Sequence, residues 1–286
     1  MAQSATTTSE SVRVAAVGDV HCSEAGAGTL KPMFTQVAET ADVLVLCGDL
    51  TNHGLPSEAQ ALVKDLPALG KVPVIAVLGN HDYEAGHAEE VRKIFCDAGV
   101  MLLDGEAVEV QGIGFAGTKG FAGGFGRGTL SAFGEPAIKS FVQEALNEAI
   151  KLETALSRLR TPHRIAVLHY SPIRATVENE PVEIFPFLGC SRLEEPLNRY
   201  QVTACVHGHA HNGSPEGRTT AGAPVYNVAA PLMRKAYPDR PPFRLLELSK
   251  PKAVPVAESA ATSAGASAAR LAPVESHVGG DGNGRG

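Results

Sequence analysis

Aspartate, asparagine and histidine residues form five short clusters along this 286-residue chain. The clusters are Asp19-Val20-His21, Gly48-Asp49, Gly79-Asn80-His81-Asp82, His169 and Gly208-His209-Ala210-His211. Four of the five directly follow an apolar run that predicts a β-strand. Because side chains at strand ends project into a shared crevice in open α/β sheets, we expect the clusters to meet at one edge. Carboxylate, amide and imidazole ligands in one place predict a site for manganese, iron or zinc rather than calcium.

The spacing within the clusters suits two metal ions. Asp19 and His21 would leave an extended segment on the same side and hold one cation together. The two oxygens of Asp49 can bridge two cations, and Gly48 allows a tight turn beside them. Two cations about 3.5–4 Å apart attract a phosphate ester, lower the pKa of a bridging water and stabilise charge on the phosphoryl oxygens. The pattern therefore predicts hydrolysis of a phosphate ester by a metal-bridging hydroxide.

A leaving alkoxide also needs a proton from a general acid that works near neutral pH. His81 follows the ligand Asn80 directly and is our candidate for this acid. Asp82 is the candidate catalytic partner that orients the His81 ring. We interpret His207, which precedes the last cluster, as the end of a strand and not as a metal ligand.

The composition limits the possible partners. An apolar content of 44% supports a full core, and five scattered cysteines indicate reduced thiols. A net charge of −6 argues against nucleic-acid and anionic-membrane partners. We find neither a membrane-spanning run nor the apolar stretch of a secretory signal, so we expect a cytoplasmic location. The expected partner is a small phosphorylated substrate, and nothing predicts the oligomeric state.

Strands and helices alternate through the central part of the chain. We expect a disordered arm at residues 1–10, one α/β domain at 11–249 and a disordered tail rich in alanine, serine and glycine at 250–286. Apolar spacings of three and four residues predict a long amphipathic helix near 138–159. Further helices are expected near 28–40, 57–67 and 87–98. Strands are predicted at 12–17, 43–47, 72–78, 107–110, 113–116, 164–168, 203–206, 224–228 and 243–248.

Two irregular stretches, 117–135 and 173–190, are expected to border the substrate pocket. The first begins with a glycine-rich run that lacks the spacing and the terminal Lys-Ser/Thr of a phosphate-binding P-loop. It is interpreted either as a lid or substrate loop or as a mobile connector.

The five clusters, in this order and at strand ends, resemble the motifs of the calcineurin-like metallophosphoesterase superfamily. The resemblance implies a four-layer α/β/β/α sandwich, with two mixed β-sheets flanked by helices. It also implies that His81 donates a proton to the leaving group. One metal would be held by Asp19, His21 and His211, a second by Asn80, His169 and His209, with Asp49 bridging both.

Within this family, the bare core and the Gly79-Asn80-His81-Asp82 motif are similar to the bacterial cyclic-nucleotide phosphodiesterase branch. We therefore expect hydrolysis of a small phosphodiester, including cyclic nucleotides. The alternatives are a phosphomonoesterase acting on a small metabolite and a non-catalytic metal-binding scaffold with the same fold. Phosphoprotein phosphatases are a poorer match, because Leu50-Thr51-Asn52 and Asp82 depart from their pattern.

Overall fold

The computed structural model describes residues 11–250, and these build two mixed β-sheets. The predicted disordered arm and, apart from Lys250, the predicted tail lie outside the described residues. The strands are β1 (Ser11–Val17), β2 (Val43–Cys47), β3 (Val74–Val77), β4 (Met101–Leu102), β5 (Glu106–Val110), β6 (Ile113–Gly117), β7 (His163–Val167), β8 (Ala204–His207), β9 (Glu216–Arg218), β10 (Pro224–Asn227) and β11 (Arg244–Ser249).

The helices cover the outer faces of the two sheets. Short 3-10 turns connect several of them to the neighbouring strands. The helices are α1 (Lys31–Thr40), α2 (Pro56–Val63), α3 (Ala88–Asp97), α4 (Pro136–Arg158), α5 (Phe185–Leu188), α6 (Glu194–Arg199) and α7 (Ala230–Ala236). Among the described residues, none of these helices combines the length and the apolarity that a bilayer crossing requires.

Each sheet has a parallel centre, with an antiparallel strand at one edge of the first sheet and at both edges of the second. The first sheet has the order β11-β1-β2-β3-β4, with β11 antiparallel to β1. The second has the order β5-β6-β7-β8-β10-β9, with β5 and β9 antiparallel to their neighbours. The parallel centre matters for the site, because all of its strands end at the same edge of their sheet.

Three apolar layers hold this arrangement together. One layer packs α1, α2 and α3 on the first sheet and includes Phe34 and Phe95. A second lies between the sheets and includes Ile75 and Phe115. In the third, Leu152 and its neighbours on α4 pack with α6 on the second sheet. The order helix, sheet, sheet, helix confirms the predicted four-layer sandwich.

Several boundaries and short elements differ from the sequence-based predictions. The helix expected at 57–67 ends at Val63, and a 3-10 turn follows at Leu66–Leu69. The strand expected from residue 72 begins at Val74, directly after Pro73, which has no N–H for strand pairing. The two-residue strand β4 and the three-residue strand β9 were not predicted, and neither were α6 and α7.

The glycine-rich run is packed rather than loose over residues 117–124. Most of these residues are buried. The amide of Gly123 donates to the carbonyl of Pro186 at 2.7 Å, and that of Gly124 to Gly189 at 2.9 Å. The two stretches that were predicted to border the pocket are therefore hydrogen-bonded to each other, and 117–124 does not fit the interpretation as a mobile connector.

Candidate metal centre

The residues predicted as metal ligands all follow strand ends and converge where the two sheets meet. Asp19, Asp49 and Asn80 come after the neighbouring strands β1, β2 and β3 of the first sheet. His169 follows β7, and His209 and His211 follow the adjacent strand β8 of the second sheet. The apolar runs in the sequence placed these ligands at strand ends, and the fold brings the ends together.

The ligand atoms form two groups. Those of Asp19, His21 and His211 lie within 4.8 Å of one another. Those of Asp49, His169 and His209 do so as well. Oδ1 of Asn80 is 2.8 Å from Nε2 of His169 and so belongs beside the second group.

Asp49, a member of the second group, also lies close to the first. Its carboxylate oxygens are 3.4 Å from Nε2 of His169 in one group and 3.8 Å from Nε2 of His21 in the other. The structure thus brings the expected ligands together, with Asp49 close to members of both groups.

The backbone at four of these ligands is left-handed. Asp19, His21, Asp49 and His209 have φ values of 56°, 44°, 49° and 73°. This conformation costs a non-glycine residue about 1–2 kcal/mol. From their spacing we expected Asp19 and His21 to leave an extended segment. Their left-handed backbone shows that they do not. Their side chains reach the same group through a tight turn, and strain of this kind persists where the surrounding structure holds it.

Two glycines allow the loops to approach the ligands closely. A Cβ on Gly48 would lie 2.5 Å from Nδ1 of His169. A Cβ on Gly208 would lie 2.2 Å from Oδ2 of Asp19. Any side chain at either position would displace a predicted ligand, since real Cβ atoms do not approach other atoms this closely.

Backbone carbonyls orient two of the ligand rings. Nδ1–H of His169 donates to the carbonyl oxygen of Cys47 at 2.9 Å. Nε2–H of His209 donates to the carbonyl oxygen of Phe187 at 3.2 Å. In both rings the other nitrogen then keeps its lone pair for a metal ion.

The hydrogen bonding of the site fits bound cations. Neither ring nitrogen of His21 has a hydrogen-bond partner among the described residues, although both are buried. Nε2 of His169 carries a lone pair and faces Oδ1 of Asn80, so two acceptors stand 2.8 Å apart. Buried polar atoms normally have partners. A cation at each group would satisfy these atoms, and the donor set suits manganese, iron or zinc.

Some of the pKa shifts at these groups favour metal binding, and others oppose it. Burial lowers the pKa of His21 to about 4 and that of His209 to about 3, so both rings are neutral at pH 7. Burial opposes the charge of Asp19, but its contacts with His211 and His169 outweigh this effect and lower the pKa. Burial and the nearby Asp19 raise the pKa of Asp49 to about 7. In the metal-free protein a cation must therefore compete with a proton for the Asp49 carboxylate.

His81 lies at the site with one ring nitrogen directed to the ligands. Its Nδ1–H donates to the carbonyl oxygen of Asn52 at 2.7 Å, and its Nε2 is 4.0 Å from Oδ2 of Asp49. The backbone N–H of His81 also donates to Oδ1 of Asp49 at 2.9 Å. The ring is about one-third exposed, so a substrate can reach it.

Asp82 does not orient the His81 ring, which corrects that part of our prediction. Its buried carboxylate accepts hydrogen bonds from the amides of Leu50, Thr51 and Gly79 and from the Thr51 hydroxyl, at 2.5–3.2 Å. Asp82 thus ties the loop after β2 to the loop after β3. The partner that orients His81 is the main-chain carbonyl of Asn52, which no side-chain motif reveals.

His207 lies outside the ligand groups, as predicted. It is fully buried at the end of β8. Its Nδ1–H donates to the Gly208 carbonyl at 2.8 Å, and its Nε2 accepts from the Thr176 hydroxyl at 2.8 Å. Both nitrogens are occupied, so the ring supports the chain that leads into the last motif.

The described chain is similar in fold to several solved structures. It resembles phosphopantetheinyl hydrolase PptH from Mycobacterium tuberculosis with a TM-score of 0.58 at 14% identity, covering 83% of this chain and 96% of that one. It resembles the purple acid phosphatase PPD1 of yellow lupin (Lupinus luteus) with a TM-score of 0.51 at 16% identity, covering 78% and 44%. For GAP50, the anchor in the inner membrane complex of Plasmodium, the TM-score is 0.50 at 14% identity, covering 78% and 73%.

The sequence itself points to the same family. No curated protein matches this chain. The family model for calcineurin-like phosphoesterases matches residues 12–213, which contain every ligand cluster described above. With both ligand groups in place, the chain belongs to the calcineurin-like phosphoesterase family and is a metal-dependent phosphoester hydrolase.

Proposed function

We propose that the protein hydrolyses small phosphodiesters, with His81 as the general acid. The observation that carries this proposal is the pair of ligand groups that share Asp49. Nε2 of His81 lies 4.0 Å from Oδ2 of Asp49. Two metal ions held there would attract the phosphoryl group, activate a water molecule and neutralise the charge that develops on the phosphoryl oxygens. Their ligands would be Asp19, His21 and His211 for one, Asn80, His169 and His209 for the other, and Asp49 for both.

The hydrogen bond to Asn52 explains how His81 would act. The carbonyl oxygen holds the proton on Nδ1, so the second proton of a charged imidazole must sit on Nε2. That nitrogen faces Asp49 and would give its proton to the leaving oxygen. Oε2 of Glu84 is 3.6 Å from Nδ1 and would stabilise the charged ring. Proton transfer of this kind contributes about 10²–10⁴-fold to a rate.

The charges around the site favour a diester over a monoester. Glu84 lies beside His81, and Glu180 binds the backbone N–H of Asn212, next to His211. These two carboxylates repel anions, and a monoester dianion carries one more negative charge than a diester. A small substrate also agrees with the net charge of −6, which disfavours nucleic acid.

The test compares two substrates on protein loaded with manganese, iron or zinc. We expect faster release of nitrophenolate from bis-p-nitrophenyl phosphate than from p-nitrophenyl phosphate. A preference for the monoester would instead identify the protein as a phosphomonoesterase. If no metal gave turnover of either ester, the catalytic proposal would fail, and the protein would have to be a non-catalytic metal-binding scaffold.

A further inference from the structure

Lys119 is bound through its main chain to the metal centre. It follows β6, and its carbonyl oxygen accepts hydrogen bonds from the backbone N–H groups of His169 and Tyr170, both at 3.0 Å. His169 is a predicted ligand of the second metal. The position of Lys119 is therefore fixed relative to that ligand by hydrogen bonds within the fold.

Three aromatic rings surround the ammonium group of Lys119. Its Nζ is 4.9 Å from the centroid of Phe121, 5.3 Å from that of Tyr170 and 5.5 Å from that of Tyr83. Each distance lies inside the ~6 Å at which a ring face attracts a cation. The Tyr170 ring also lies next to the site, because its centroid is 4.5 Å from that of His209. The ammonium and the ring of a predicted ligand are therefore both neighbours of Tyr170.

Glu148, Glu144 and Asp104 are the acidic groups near Lys119, and two of them, Glu148 and Asp104, bind other partners. Oε2 of the buried Glu148 accepts from the Thr118 hydroxyl and the Gly120 amide at 2.5 and 2.8 Å. Lys151 binds Oε1 of Glu148 at 2.8 Å and Oδ1 of Asp104 at 2.9 Å. These bonds leave Lys119 without an ion pair among the described residues.

The ammonium therefore has unused donors. Of its three N–H groups, one donates to the carbonyl oxygen of Gly120 at 2.9 Å. An anion would supply the hydrogen bonds that this environment lacks.

Building on the proposed phosphodiesterase function, we propose that Lys119 binds a second anionic group, a carboxylate or a phosphate, on the organic part of the substrate. The charges on the two sides of the site then orient the substrate. Glu84 and Glu180 repel anions beside His81 and His211, whereas Lys119 attracts them beside His169. The substrate class is a small phosphodiester with an anionic substituent.

Matched chromogenic diesters test this proposal. p-Nitrophenyl propyl phosphate is compared with p-nitrophenyl ω-carboxyalkyl phosphates of two to five methylenes, using the metal-loaded full chain. We expect a KM about 10-fold lower for the carboxylate of best length, because hydrogen bonds to charged groups are the stronger ones. Lys119→Met should abolish this preference. Lys119→Arg should keep part of the preference.

Lys139→Met is the matched control, because Lys139 is exposed on α4. It should keep the full preference for the carboxylate. The metal content of each variant shows whether the centre is intact.

The outcomes separate the two proposals. If the propyl ester is hydrolysed but no carboxylate is preferred, or if Lys119→Met keeps the preference, the anion site is wrong and the phosphodiesterase function stands. If no ester is hydrolysed, the phosphodiesterase function fails. The carboxyalkyl esters are then stable ligands for calorimetry. Binding that Lys119→Met removes would support the anion site, and absent or unchanged binding would overturn it.

Discussion

The imidazole of His81 is the group on which the proposed proton transfer depends. Replacing it with alanine should lower kcat for bis-p-nitrophenyl phosphate by about 10²–10⁴-fold. The metal content should not change, because His81 is not among the ligands that the family implies. Steady-state kinetics together with metal analysis of the same sample check both parts.

His87→Ala is the control for this variant, because His87 is a half-exposed histidine paired only loosely with Glu90, at 3.8 Å. It should leave kcat unchanged. Normal turnover by His81→Ala would show that another group donates the proton. Loss of a metal ion from His81→Ala would show instead that the ring is a ligand.

Asp49 should make metal binding depend on pH. Burial and the nearby Asp19 raise its pKa to about 7 in the metal-free protein. A cation must then displace a proton from Asp49 below that pH, so the metal affinity should rise as the pH increases from 5 to 7. Calorimetry of manganese binding at pH 6, in buffers that differ in ionisation enthalpy, should detect proton release. Equal heats in all buffers would contradict this protonation state.

The side chains at the site were predictable from the sequence, and the groups that orient them were not. Every predicted ligand and His81 lie at the site. These residues could be predicted because their types and order form recognisable motifs. The rings of His81 and His209 are held by the main-chain carbonyls of Asn52 and Phe187. Every residue has a carbonyl, so no residue type marks these two positions. For the same reason, the sequence-based prediction gave the role of orienting the His81 ring to Asp82.

The loop that follows β8 must pass close to the loop that follows β1. A Cβ on Gly208 would lie 2.2 Å from Oδ2 of Asp19, so Gly208→Ala should push the Asp19 carboxylate away from its metal. We expect about 10–100-fold weaker binding of one metal ion, the range found when groups that position ligands are changed. Calorimetric titration of the metal-free variant with manganese measures this loss.

Gly128→Ala is the matched control, because no atom lies within 4 Å of a Cβ placed there. It should bind both metal ions with unchanged affinity. If Gly208→Ala did the same, the close approach of the two loops would not matter for the site.

Elements with a strong periodic pattern were predictable, and short ones were not. The long helix expected near 138–159 is α4, and the buried apolar runs became β1, β2 and β7. By contrast, β4 and β9 have only two and three residues, too few for a repeating pattern. Their pairing depends on neighbours far away in the chain, as when Met101 on β4 lies beside Ile75 on β3.

The predicted ligands come from both sheets of the molecule, so bound metal ions would join the sheets. Asp19, Asp49 and Asn80 come from the first sheet, and His169, His209 and His211 come from the second. Ions that bind only the folded arrangement stabilise it by about 2.7 kcal/mol at a concentration 100 times Kd. For a domain of this size we expect the melting temperature to rise by roughly 5–10 °C with manganese. Calorimetric scans with and without a chelator check this, and identical melting temperatures would contradict a centre that joins the sheets.

The four-layer arrangement was predictable only through the family resemblance. Alternating helices and strands indicate an α/β protein, but the division of the strands into two stacked sheets depends on contacts between distant residues. Ile75 of the first sheet and Phe115 of the second, for example, share the layer between the sheets. The predictions of a disordered arm and tail concern residues outside the described range and stay predictions.

The central claim is that one chain uses two metal ions, held by both sheets, to hydrolyse a phosphodiester. The most direct test titrates manganese into metal-free protein while the hydrolysis of bis-p-nitrophenyl phosphate is followed. We predict that the rate rises until two equivalents are bound per chain and then stays constant. A rate that saturates at one equivalent, or no hydrolysis at any metal content, would contradict the claim.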